Sequence, residues 1–107
     1  MPRDLETALA TLLDEAETAH GVYEADFLGG DDPAWSVWYA VYLLELGLRE
    51  LLPRTVTGEP DDLAAQLVAL HAAFQRDDPR GDWVRFFAER LAASERDARA
   101  VGHDEGQ

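Results

Sequence analysis

His20, Tyr23 and Glu24 bring an imidazole, a phenol and a carboxylate together in one short stretch of chain. On a helix, positions 20 and 24 share a face, so these groups form a candidate acid–base set. His71 stands in a matching context: Phe74 and Gln75 follow it as Tyr23 and Glu24 follow His20. If two helical hairpins pack about a pseudo-twofold axis, His20, Glu24 and His71 approach one another and offer a divalent metal two nitrogens and a carboxylate. Bundle metal sites ordinarily show facing Glu-x-x-His pairs, and the chain has no such pair, since no second motif matches Glu17-Thr18-Ala19-His20. The plainer alternative is that each histidine ends a helix and hydrogen-bonds locally. No cofactor is implied beyond that conceivable metal.

A second candidate is the acidic stretch from Glu24 to Asp32. Glu24, Asp26, Asp31 and Asp32, with two glycines among them, suit a hard cation such as calcium. Their spacing does not follow the D-x-[DN]-x-[DN]-G pattern of an EF-hand, so capping and turn formation is the competing role. Nucleophilic catalysis has little to work with. Cysteine and lysine are absent, Ser36 and Ser94 lie outside any G-x-S-x-G setting, and there is no glycine-rich phosphate loop. The balance favours binding over catalysis.

These groups sit in a chain whose halves share an order of motifs. His20-x-x-Tyr23-Glu24, Asp31-Asp32-Pro33 and Trp35-x-x-Trp38-Tyr39-Ala40 are followed by His71-x-x-Phe74-Gln75, Asp77-Asp78-Pro79 and Trp83-x-x-Phe86-Phe87-Ala88. This predicts an all-α domain over 1–100, a four-helix bundle of two pseudo-repeated hairpins, 4–52 and 61–99, joined by a polar linker at 53–60. Leu5, Leu9, Leu12, Leu13, Ala16 and Ala19 mark the buried face of the first helix, to about Tyr23. Asp32 as N-cap and Pro33 at the first helical position start the second, which continues to about Leu52 before Pro53. The third spans about 61–75 and the fourth about 82–99, the latter burying Trp83, Phe87 and Leu91. Residues 101–107 lack an apolar period and read as a disordered acidic tail.

The helix at 33–52 is apolar nearly all round. Trp35, Trp38, Tyr39, Tyr42, Leu43 and Leu46 form one stripe; Val37, Val41, Leu44 and Leu48 form another. Either it is central, with the other helices wrapped over it, or its second face meets another copy or another protein. Trp35, Trp38, Tyr39 and Tyr42 suit an interface because aromatic residues dominate binding hot spots.

Twenty-two acids against nine bases leave a net charge of −13, and every base is arginine. Such an excess of acid repels phosphate backbones and anionic lipid, which disfavours direct nucleic-acid or membrane binding. It leaves basic protein surfaces as partners, or a purely solubilising role. Lysine, isoleucine and asparagine are absent, as in proteins of GC-rich genomes; a halophilic origin is the alternative. The absence of cysteine, of a signal-like N-terminus and of a spanning apolar run fits a cytoplasmic protein.

From His20 to Leu44, the strings H-G-x-Y-E and D-x-x-W-x-x-W-Y-A-x-Y-L resemble a group of small actinobacterial helical proteins and domains. Some members of that group accompany glyoxalase or bleomycin-resistance-type modules. The stretch before the tryptophans is longer here and contains glycine. The resemblance implies helix–loop–helix structure and an actinobacterial cytoplasm; it implies no catalytic residues. The function expected is therefore that of a small acidic accessory protein acting through protein–protein contacts, with metal or small-ligand binding by His20, Tyr23, Glu24 and His71 as the alternative.

Overall fold

Asp4 sets the start of the first helix: its backbone is extended and its side chain accepts the Glu6 N–H at 3.3 Å. The computed structural model describes the backbone of residues 4–105 and the side chains of residues 4–100. Helix α1, Leu5–Tyr23, buries Leu9, Leu13, Ala16 and His20 on one face. A wide π-helical turn, Glu24–Leu28, follows where the sequence suggested an open acidic loop. Gly29 closes that turn at φ 68°, its N–H donating to the Glu24 carbonyl at 2.7 Å.

Asp32 does act as a cap, with its Oδ1 accepting the Ala34 N–H at 2.9 Å. Pro33 and Ala34 form a tight turn, however, and regular helix α2 begins at Trp35 and ends at Glu45. The expected single helix to Leu52 is thus broken. Gly47 takes φ 99°, and a short helix α3, Leu48–Leu51, departs in a new direction. The break has a packing cause. In a straight helix Leu48 would continue the stripe of Val37 and Val41, which are 45% and 43% exposed; beyond the glycine, Leu48 and Leu52 are fully buried. Nor do the other helices wrap α2 completely, since the Val37–Val41 face stays open.

Helix α4, Pro60–Asp77, starts with a reciprocal capping box between Glu59 and Asp62 and proline in its first turn. Helix α5, Trp83–Glu105, starts with the Asp82 side chain on the Val84 N–H and continues beyond the predicted end at 99. The tail expected to be disordered over 101–107 is therefore helical through Glu105; its side chains and last two residues lie outside the described ones. α1 packs along α5 and α2 along α4, while α1–α2 and α4–α5 contacts complete a closed ring of helices. Leu43 of α2, Leu63 and Leu67 of α4, and Phe87 and Leu91 of α5 fill its centre with the α1 leucines. No described helix is long and apolar enough to cross a membrane.

The segment between the helix pairs is seated, not free. Glu95 of α5 is fully buried, and its carboxylate accepts the Arg54 N–H, the Thr55 N–H and the Thr55 hydroxyl at 2.9–3.2 Å. The Arg99 guanidinium approaches its other oxygen at 3.3 Å. A buried carboxylate is tolerated only with such a set of donors. This arrangement holds Val56 in the core and gives the linker a fixed path.

Gly47→Ala should cost about 1–2 kcal/mol because its φ is left-handed. Gly21→Ala, in α1 with open space around the new methyl, should gain roughly 0.5–1 kcal/mol. Chemical denaturation of the two variants reads both signs. Glu95→Ala should lose about 3 kcal/mol in the same assay by stranding its donors; a change under about 1 kcal/mol would show that the linker is not held there.

Candidate functional site

The last turn of α1 and the first turn of α2 are tied by one carboxylate. His20 Nε2 lies 2.9 Å from Asp32 Oδ2, with the two side chains only 8% and 7% exposed. An ionised carboxylate can only accept, so His20 carries the proton on Nε2. The other oxygen of Asp32 takes the Ala34 N–H, and the Asp32 N–H in turn donates to Glu24 Oε2 at 3.0 Å. Glu24 Oε2 also faces His20 Nδ1 at 3.9 Å. His20 thus has a carboxylate on each side of its ring, and Trp38 and Tyr39 flank it with centroids 4.8 Å away.

The hydrogen bond from His20 lowers the Asp32 carboxyl below its ordinary range; the Ala34 N–H and the His20 charge act the same way, while burial opposes them. Tyr39 moves in the opposite sense. Burial first, then the negative charges of Glu17 and Glu24, push its phenol up to about 12. Tyr39 therefore stays a neutral phenol at any physiological pH.

Beside this knot opens a cleft of about 500 Å³. Glu24, Asp31 and Asp32 stand at one side with His20; Trp35 and Tyr39 rise from α2; His71 and Phe74 come from α4, and Trp83 and Phe87 from α5. Trp35 meets Tyr39 edge-on at 6.1 Å and 76°, and Tyr39 meets Trp83 at 5.7 Å and 79°. The His71 ring sits edge-on to Trp35 at 5.2 Å. Trp83 is held from outside by its indole N–H, which donates to Glu17 at 2.8 Å. The volume and largely aromatic lining are those of a small-molecule site with a few polar groups.

Of the residues singled out from sequence, His20, Glu24, Asp31, Asp32, Trp35, Tyr39 and His71 line this one cleft. Tyr23, Trp38 and Tyr42 do not; they stack in a separate partly exposed row, with Trp38 4.9 Å from Tyr42 and 5.7 Å from Tyr23. The His20–Glu24–His71 metal set is not formed: His20 is engaged by Asp32, and among the described residues no group of three or more His, Asp or Glu side chains is arranged to hold a metal ion. Glu24 and Asp32 of the suggested calcium loop bind each other through the backbone instead. Sequence reasoning assigned Trp83 and Phe87 to the core and missed their second role as cleft walls. Their match in spacing to Trp35 and Tyr39 was the signal available.

A carboxyl lowered in the folded state adds stability that is complete above its unfolded value of about 4 and is lost as pH falls through the folded value. Asp32→Asn should therefore lie below the parent protein in stability at neutral pH and converge on it as the pH falls below the ordinary carboxyl range. Asp77, also lowered, chiefly by Arg76 with Arg90, titrates alike in both proteins and cancels in the difference. Urea melts at several pH values give the comparison. A gap that stays constant from neutral to acid pH would contradict the assignment.

Compared with known protein families, with curated proteins and with solved structures, the chain finds no match in any of the three.

Proposed function

We propose that the chain is a small, acidic, non-catalytic binding protein whose aromatic cleft holds a small organic ligand. The observation that carries this reading is the convergence of side chains from α1, α2, α4 and α5 on one cleft of ligand size. A helical protein this small has little reason to leave two tryptophans partly uncovered around such a space unless something fills it.

The same reading takes the fold as a four-helix bundle of two pseudo-repeated hairpins. Two recurring ring pairs support it. Trp35–Tyr39 at 76° corresponds to Trp83–Phe87 at 81°, and Tyr23–Trp38 at 5.7 Å corresponds to Phe74–Phe86 at 5.4 Å. On this view His20 and His71, Trp35 and Trp83, and Tyr39 and Phe87 are matched positions that face one space. The site then arises from duplication, with only the first copy's acids, Glu24, Asp31 and Asp32, lining it; their counterparts Gln75, Asp77 and Asp78 do not. Its resemblance from His20 to Leu44 to small actinobacterial helical proteins is consistent with a cytoplasmic accessory role.

A second reading, protein–protein contact through the helix at 33–52, draws on a different surface. Val37 and Val41 on α2 are nearly half exposed, and Phe27, beside Tyr23, is 77% exposed. A homodimer or a heterologous partner would cover them. The two readings are compatible, because the cleft and this face use opposite sides of α2.

Two of the three tryptophans line the cleft, so ligand entry should change intrinsic fluorescence. A panel of cationic, neutral and anionic compounds of about 7 to 20 heavy atoms should contain some that shift both fluorescence and melting temperature saturably. Trp35→Ala, checked for retained helicity, should remove the response. A panel in which no compound moves either signal would reject the cleft as a binding site.

A further inference from the structure

We propose, building on the reading of the cleft as a ligand site, that it selects an organic monocation: an ammonium head placed by the first-hairpin carboxylates and an apolar body held by the rings. Charge distribution is the first reason. Three carboxylates line the cleft, from Glu24, Asp31 and Asp32, and none of the described arginines does, in a chain without lysine. Among the described lining residues the two histidines are the only groups that can offset this charge, and His20 is already committed to Asp32. An anion would find no guanidinium or ammonium to bind. A cation would enter a negative field already felt by the phenol of Tyr39, which Glu17 and Glu24 help to keep protonated.

Ring geometry is the second reason. Trp35 and Trp83 each meet Tyr39 at nearly a right angle, so each makes a corner with it. Aromatic walls that meet at such corners can present π-faces and alkyl contact to a substituted ammonium from more than one direction. Similar surroundings occur inside the protein: the His20 ring, itself between Asp32 and Glu24, lies against Trp38 and Tyr39.

The carboxylates divide the work. Both oxygens of Asp32 are occupied, one by His20 and one by Ala34, so it contributes fixed charge. Asp31 is exposed at the cleft and has no hydrogen bond among the described residues, which leaves it free to face the ligand head. The opposite wall, Phe74 and Phe87, has no carboxylate and takes the apolar end. The ligand is therefore oriented, head toward the start of α2 and body toward α4 and α5.

Fluorescence titration of the full chain tests this with benzyltrimethylammonium, with choline and its uncharged isostere 3,3-dimethylbutan-1-ol, and with phenylacetate as the anion. Benzyltrimethylammonium should bind saturably with a Kd of about 1 mM or tighter. Choline should bind at least about tenfold more tightly than the alcohol. Asp31→Asn, a surface change, should weaken both cations about threefold and leave the alcohol unchanged, and added salt should act in the same direction. Equal binding of choline and the alcohol, or phenylacetate binding more tightly than benzyltrimethylammonium, would overturn the cation assignment; if Trp35→Ala removed that binding, the cleft would stand as a site for another ligand class. Silence from every compound, charged or not, would reject both the cation and the cleft.

Discussion

The shared carboxylate of Asp32 is the constraint on which the site depends. One oxygen holds His20 on α1 and the other caps the turn into α2, while its own N–H is held by Glu24. Three segments, the end of α1, the π-helical turn and the start of α2, are thereby fixed relative to one another. That fixes the direction in which α2 leaves, and with it the positions of Trp35 and Tyr39. The arrangement is stable because each buried charge or dipole in it has a partner, and no buried side-chain polar atom among the described residues lacks one. Loss of the carboxylate would strand both an imidazole and a helix start.

A second buried carboxylate does comparable work far along the chain. Glu95 gathers the donors of Arg54 and Thr55 and so sets the path from α3 to α4. α4 carries His71 and Phe74 into the cleft, so the register of the opposite wall is linked to this contact. A protein of net charge −13 thus keeps two of its acids inside as structural acceptors. The remainder give the surface its negative field, part of which the cleft concentrates.

Much of this was legible in the residues. Helical spacing of Leu9, Leu13 and Ala16 located the buried face of α1, and the matched histidines and aromatic residues named most of the cleft before any geometry was known. What escaped depends on partners distant in sequence or on backbone conformation. Asp32 was readable as a cap, since capping is local, but its second oxygen reaches back twelve residues to His20. Glu95 and Arg99 have the spacing of an ordinary surface ion pair, and nothing local marks the carboxylate as buried. The sequence pattern carries the second helix through Gly47 to about Leu52; only burial of Leu48 explains why the chain turns there. Residues 24–32 left a cation loop and a capping turn as alternatives; the Glu24 carbonyl and carboxylate, which close the stretch from both ends, form the turn.

The space between Trp35, Tyr39 and Trp83 is the proposed ligand site, and the aromatic row outside it is not. The most direct measurement follows the three indole N–H signals in a two-dimensional ¹H–¹⁵N spectrum, assigned by single Trp→Phe variants, during addition of benzyltrimethylammonium. Trp35 and Trp83 should move together along one saturable curve, with Trp83 reporting through its bond to Glu17, while Trp38 changes least. Movement confined to Trp38, or three unmoved signals at saturating probe, would contradict it.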